Sequence, residues 1–155
     1  ELEHVRNYLM IQQTRFKNKF IYRFEAGEEV MDLVCLKLML QPLVENAIYH
    51  GMEFMDGDGE VCVKAYREAD DLWFQISDNG LGMTRQQVES LLDEKEHVSS
   101  RRGSGIGVKN VNERIRLYFG DDYGLQIWSE PDEGTVISIH LPAQAYAETA
   151  QEART

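Results

Sequence analysis

The stretch Asp71-Leu72-Trp73-Phe74-Gln75-Ile76-Ser77-Asp78-Asn79-Gly80-Leu81-Gly82-Met83 decides the fold class. Its first eight residues alternate apolar and polar side chains with a period of two, the pattern of a half-buried strand. Asn79-Gly80 taken alone would suit a hairpin turn. No returning strand comes after Met83, because Thr84 to Leu92 carries helical spacing with Thr84 placed as its cap. The two glycines therefore hold a loop at a strand end, with Asp78 as a carboxylate in the last strand position.

Upstream of this stretch, Glu60 to Arg67 is a second period-two run, and Glu68-Ala69-Asp70 turns it into an antiparallel hairpin with Asp71 to Asp78. Leu36, Leu40, Leu43, Val44, Ala47 and Ile48 recur at intervals of three and four, which predicts a helix from Leu36 to His50 closed by Gly51, with Pro42 as its irregularity. Phe20 to Glu25 alternates as a strand does. Leu2, Val5, Leu9, Gln12 and Phe16 predict an amphipathic helix over about the first seventeen residues.

Downstream, Asp93 to Arg102 is polar and lacks apolar periodicity, so it reads as a loop. Gly103-Ser104-Gly105-Ile106-Gly107 then opens a helix running to about Phe119, and two more strands lie at Gly124 to Ser129 and Thr135 to Leu141 around Pro131-Asp132-Glu133-Gly134. This order predicts an α+β domain, a mixed and mostly antiparallel sheet with helices on one face. No doubly wound sheet fits it.

The 155 residues hold 16 Lys and Arg against 27 Asp and Glu, a net charge of −11 with histidines neutral. Nucleic acid and anionic membranes are therefore poor partners, although a local cluster of donors can still hold a small anion. With 43% hydrophobic and 28% charged residues, the chain has the apolar surface for a core. Cys35 and Cys62 sit in apolar runs without metal-ligand spacing and read as reduced core thiols suited to a cytoplasm. The longest apolar stretch, Met31 to Ile48, is broken by Asp32, Lys37, Gln41, Glu45 and Asn46, so it is no membrane span. The opening Glu-Leu-Glu-His lacks the basic start of a signal peptide.

Three features carry chemistry, each with a plainer alternative. Asp78 can accept a hydrogen bond from an exocyclic amine such as that of adenine. The glycines at 103, 105 and 107 open a helix whose amides can receive phosphate oxygens, or else form a flexible loop; their spacing fits neither the dinucleotide fingerprint nor the P-loop. Asn46 lies at the edge of its helix's core stripe, with Pro42 and Tyr49 on the same side. It is either a satisfied helix-edge amide or a neutral oxygen ligand for Mg²⁺. Glu45 points about 100° away, toward solvent, as a surface charge or a supporting group for Asn46.

Taken together, Leu40-Gln41-Pro42-Leu43-Val44-Glu45-Asn46-Ala47-Ile48-Tyr49-His50-Gly51, Asp78-Asn79-Gly80-Leu81-Gly82-Met83, Gly103-Ser104-Gly105-Ile106-Gly107-Val108-Lys109-Asn110-Val111 and Gly134-Thr135 resemble the asparagine box, the two glycine boxes and the closing Gly-Thr of the GHKL ATPase superfamily. The chain is most similar in this respect to the catalytic domain of LytS-like sensor histidine kinases. The resemblance implies a Bergerat-type two-layer α/β sandwich that binds ATP and Mg²⁺. It makes Asn46 the metal ligand and, with Glu45, the catalytic pair. It places His50, Asp78, Gly80, Gly82, Met83, Arg102, Gly103, Gly105, Ile106, Gly107, Val108 and Thr135 around the nucleotide, with 93–102 as a lid.

The same resemblance implies an amino-terminal helix (1–18) leading to a dimerisation region outside the chain, a catalytic domain (19–142) and a disordered tail (143–155). Its partners are the acceptor-histidine domain of the same kinase, homodimeric at full length, and a response regulator. Neither nucleic acid nor direct membrane contact is expected of this cytoplasmic domain of a membrane-anchored sensor.

Three departures bear on activity. Gyrase-type members place a water-activating Glu four residues before the Asn; here that place is Pro42, which favours transfer of the γ-phosphoryl over hydrolysis. Many histidine kinases carry a Lys three after the Asn, where this chain has Tyr49, so phosphate charge falls to Arg101 or Arg102, Lys109 or His50. No acceptor histidine is present, since His4, His50, His97 and His140 all stand in the wrong settings. A nucleotide-binding module without transfer activity, a GHKL ATPase and a protein-serine kinase remain the alternatives.

Overall fold

Strands β1 (Phe20–Ala26), β2 (Gly59–Glu68), β3 (Asp71–Asp78), β4 (Gly124–Glu130) and β5 (Gly134–Pro142) form one sheet in the order β1-β2-β3-β5-β4. These positions come from a computed structural model, which describes residues 1–93 and 104–145. β1 runs parallel to β2, and every other neighbouring pair is antiparallel. The sheet is thus mixed and mostly antiparallel, as the order of elements predicts.

The strand alternation decides which face is covered. Val63, Ile76 and Ile137 stand in one cross-strand row and are almost fully buried, while their chain neighbours Lys64, Gln75 and Ser138 lie on the opposite face. Against the apolar face pack α1 (Leu2–Arg15), α2 (Gln41–Asn46) and α4 (Ser104–Phe119), through Leu9, Leu43, Ile48, Val108 and Ile115. α3 (Arg85–Leu92) starts at Thr84, whose hydroxyl accepts from the Gln87 amide while the Gln87 side chain accepts from the Thr84 amide. That reciprocal cap satisfies two amides at the helix start.

The Leu36 to His50 helix is corrected at both ends. The regular helix begins at Gln41, and Pro42 sits in its first turn, where a missing amide proton leaves no bond broken. Leu38 before it has φ 56°, and the Glu1 carboxylate accepts from the amides of Leu38 (2.6 Å) and Leu40 (3.3 Å), which fixes the chain entering α2. At the other end Gly51 does not close the helix. Residues Ala47–Met52 continue it as a wider π turn through that glycine.

Residues 143–145 remain attached to the domain, with Ala143 donating to the Asp70 carbonyl and Val34 to that of Gln144. Cys35 and Cys62 are free thiols, half-buried and buried, and burial raises the pKa of both. None of the described helices is long and apolar enough to cross a membrane.

Candidate functional site

The β3–β5 register sets Asp78 directly opposite Thr135 at the end of the ladder. Asp78 Oδ1 accepts from the Gly80 amide at 2.9 Å, the short return that Asn79-Gly80 makes possible. Burial raises its carboxyl pKa to about 6, against the lowering pull of hydrogen bonds from the backbone of Gly80 and Thr135. It is therefore largely ionised at neutral pH while retaining acceptor capacity.

Glycines clear the ground around this carboxylate. A Cβ on Gly80 would overlap the Cα of Gly51, and one on Gly51 would stand 2.7 Å from Asp78 Oδ1. The π turn and the strand end thus meet backbone to backbone. Gly82 has φ +66° and Gly134 φ +116°, and a side chain on either would run into a backbone carbonyl, that of Glu130 or Asp78 respectively. Gly51 belongs with the site, though helical spacing reads it as a terminator. Its signal is the adjoining Gly80 contact, which only the tertiary structure supplies.

Asn46, His50, Gly51, Asp78, Gly82, Met83 and Thr135 line a single cavity. Asn46 and Thr135 are each only 5% exposed. The cavity is about 10 Å³, room for roughly one water, so it must widen to admit anything as large as a nucleobase. Burial lowers the His50 pKa despite the nearby Glu53 carboxylate. Burial by itself thus favours the neutral imidazole at His50.

Other expected residues fall elsewhere. Glu45 does not line the cavity; it accepts from the Gln41 side chain at 3.0 Å on the flank of α2 that faces α1. Tyr49 lies on that flank too, bonded to Arg15 of α1 at 3.3 Å, and not on Asn46's side. The cause is the π turn, in which each residue advances by roughly 80° instead of about 100°. Gly105 and Gly107 stand within the first turns of α4, and Gly107 lets the helix approach Pro42, whose Cβ would be 3.2 Å from an added methyl. Ile106 is half exposed, whereas Val108 is wholly buried in the core. Arg101, Arg102, Gly103 and His97 lie outside the described residues.

Ser129 on β4 escapes the sequence reading because a serine in an alternating strand carries no signal. Its hydroxyl meets the Gly134 carbonyl, the Thr135 hydroxyl and the Met83 amide, each at 2.8 Å. One side chain thereby ties the glycine loop to the start of β5. Of the remaining histidines, His4 is bonded to Gln41, and His140 stacks on Trp73 with its Nε2 3.1 Å from Asp71 Oδ1. Among the described residues no cluster of three or more His, Cys, Asp or Glu side chains is arranged to hold a metal. An Asn-based site with phosphate and water ligands is of another kind.

Comparison with known proteins agrees with this geometry. The family model described as histidine kinase-, DNA gyrase B-, and HSP90-like ATPase matches residues 31–145. The sensor protein LytS of Bacillus anthracis is 36% identical over 142 residues, 92% of this chain and 24% of that protein. The sensor histidine kinase YesM of Bacillus subtilis is 35% identical over 144 residues, 93% of this chain and 23% of that protein. The chain therefore spans about a quarter of the length of these relatives. In fold it resembles the mycobacterial sensor histidine kinase MprB (TM-score 0.63, 18% identity, 93% of this chain and 95% of that one). The catalytic domain of histidine kinase ThkA is similar as well (TM-score 0.62, 19% identity, 88% of each chain). With the family model covering residues 31–145, most of its length, the chain belongs to the histidine kinase-, DNA gyrase B- and HSP90-like ATPase family.

Proposed function

We propose that this chain is the ATP-binding catalytic domain of a sensor histidine kinase, which donates the γ-phosphoryl of ATP to a histidine outside the chain. The observation that carries the reading is the Asp78 carboxylate, held ionisable at a strand end, faced by Thr135, surrounded by glycines and sharing its cavity with Asn46. The adenine amine donates to Asp78 in this reading, and Gly80, Gly82, Met83 and Thr135 shape the base pocket. The amides opening α4 face the phosphates.

The Asn46 amide oxygen, a neutral hard donor on the cavity wall, suits Mg²⁺ shared with phosphate oxygens. When bound, Mg²⁺ neutralises phosphate charge in the transfer. The bond that forms joins an imidazole nitrogen to the γ-phosphorus, and the one that breaks releases ADP. Pro42, standing where gyrase-type members have a water-activating Glu, favours that acceptor over water. The acceptor histidine then lies in another region of the same kinase, which passes the phosphoryl to a response regulator, and the domain works on the cytoplasmic side of a membrane-anchored sensor.

The test is calorimetric titration of the chain with a non-hydrolysable ATP analogue, with and without Mg²⁺, beside Asp78→Asn. Mg-dependent binding that the substitution removes is the expected result. Absence of binding to the unaltered chain at millimolar nucleotide would overturn the reading and leave a partner-binding relic of the fold.

A further inference from the structure

α1 and α2 run side by side, with Val5 and Leu9 of α1 in the same apolar core as Leu43 and Val44 of α2, and polar contacts link their flanks. His4 Nε2 is 2.5 Å from the Gln41 side-chain oxygen, and Gln41 Nε2 donates to Glu45 Oε1 at 3.0 Å. Tyr8 is hydrogen-bonded to Tyr49, which also accepts from Arg15 Nη1 at 3.3 Å. On α2 and its π extension, Gln41, Glu45 and Tyr49 are spaced by four, so they form one ridge along the helix flank. Asn46 is the next residue along from Glu45, turned about 100° toward the cavity.

This ridge governs rotation. α2 has only six regular residues before the π turn, too few to hold its own orientation by helical hydrogen bonding. Its buried side chains, Leu43 and Val44 among them, set its depth but are non-directional in their attraction. Directional bonds to α1 are what remain to fix its angle. A ligating group must be held within roughly 10–20° of its productive direction by partners that are themselves locked. Burial and the Glu45 charge both raise the Tyr8 pKa, so the phenol stays protonated and keeps its bond at any physiological pH.

We propose that α1 is a positioning element of the nucleotide site: the polar ladder from His4 through Gln41 and Glu45 to Tyr8, Tyr49 and Arg15 fixes the rotation of α2 and thereby aims Asn46 at the metal-phosphate group. Glu45 in this role acts through the helix and takes no proton from the reacting atoms. A displacement of α1 would turn Asn46 away without altering Asp78, which belongs to the sheet. The inference rests on the proposed Mg-ATP reading and separates the site into an adenine end fixed by β3 and β5 and a phosphate end fixed by α1.

The test is the ratio of ATP-analogue affinity with Mg²⁺ to that without it, measured by titration of the full chain. Tyr8→Phe, which removes a bond between the helices, and Glu45→Ala, which releases the Gln41 side chain that meets His4, are each expected to lower that ratio about fivefold, the scale of one hydrogen bond. Glu45→Gln, which still accepts from Gln41, is expected to restore the ratio. A general loss of stability would lower both affinities together and leave the ratio intact. Should the unaltered chain show a Mg-dependent gain that Tyr8→Phe and Glu45→Ala both retain, the ladder is packing only and the inference fails alone. A Glu45→Gln variant as impaired as Glu45→Ala would overturn it in favour of a direct role for the carboxylate charge. No Mg-dependent gain in the unaltered chain would remove the inference together with the reading beneath it.

Discussion

Asp78 and Thr135 are 57 positions apart in sequence and directly opposite in the β3–β5 ladder, so the residue that can read an amine and the hydroxyl beside it are set by strand register. A slip of β5 by one residue against β3 would turn Thr135 to the face opposite Asp78. Glycines at 51, 80, 82 and 134 enclose the pair, each at a place where a side chain would collide. A side chain at any of these four positions would therefore disturb the backbone or the carboxylate at this end of the sheet.

Asp78→Asn should weaken binding of an ATP analogue by about 10- to 100-fold, the range for a lost charge-assisted hydrogen bond. The same substitution should stabilise the nucleotide-free chain. The Asp78 pKa rises from 3.8 to about 6 on folding, so this group favours the folded state most below pH 4, and that contribution is lost as pH climbs through 6. At neutral pH the buried charge opposes folding by about 3 kcal/mol. Paired urea melts and calorimetry check both halves.

Nucleotide affinity of the unaltered chain should fall as pH drops below about 6, because protonation removes the carboxylate acceptor. Affinity is expected to approach a tenfold loss per pH unit well below that point. The residual binding of Asp78→Asn should show no such step. A flat profile for the unaltered chain between pH 5 and 7 would contradict the assignment.

Gly80→Ala should destabilise the fold by about 2 kcal/mol or more, since its Cβ meets the backbone of Gly51 and backbone cannot move aside as a side-chain tip can. Thermal unfolding of this variant beside Gly57→Ala separates collision from conformation. Gly57 has φ +102° and nothing within 4 Å of an added Cβ, whereas Gly80 has no positive φ, so Gly57→Ala reports the cost of conformation and Gly80→Ala that of collision.

Ser129→Ala should cost about 1–3 kcal/mol, for it removes one hydroxyl from three buried or half-buried partners, Met83, Gly134 and Thr135. Amide exchange of Met83 should accelerate, and that change identifies the tether.

Strand pattern made the sheet legible. The β2–β3 hairpin, its turn and the Thr84 cap emerge from local alternation and side-chain chemistry, and ordered glycine boxes pointed to Asp78, Asn46 and Thr135. The helix bearing Asn46 was less legible at its ends, because apolar spacing at three and four also accommodates the turn before Gln41 and cannot register a switch to a wider π turn. That switch moved Tyr49 to α1. Ser129 stayed hidden for a different reason, since its importance lies in hydroxyl bonds between segments distant in sequence, while Gly51, quoted as the end of the asparagine box, owes its close approach to Gly80 to the tertiary structure.

The register has a consequence for assembly. β2 and β3 form one hairpin and β4 and β5 another, and the two meet along the β3–β5 seam. Asp78 belongs to the first and Thr135 to the second. Short hairpins close in microseconds, whereas docking them must overcome the closure entropy of the long intervening segment. The pocket thus comes into being only when the two hairpins have docked, and a nucleotide held across the seam would slow global unfolding more than local fraying.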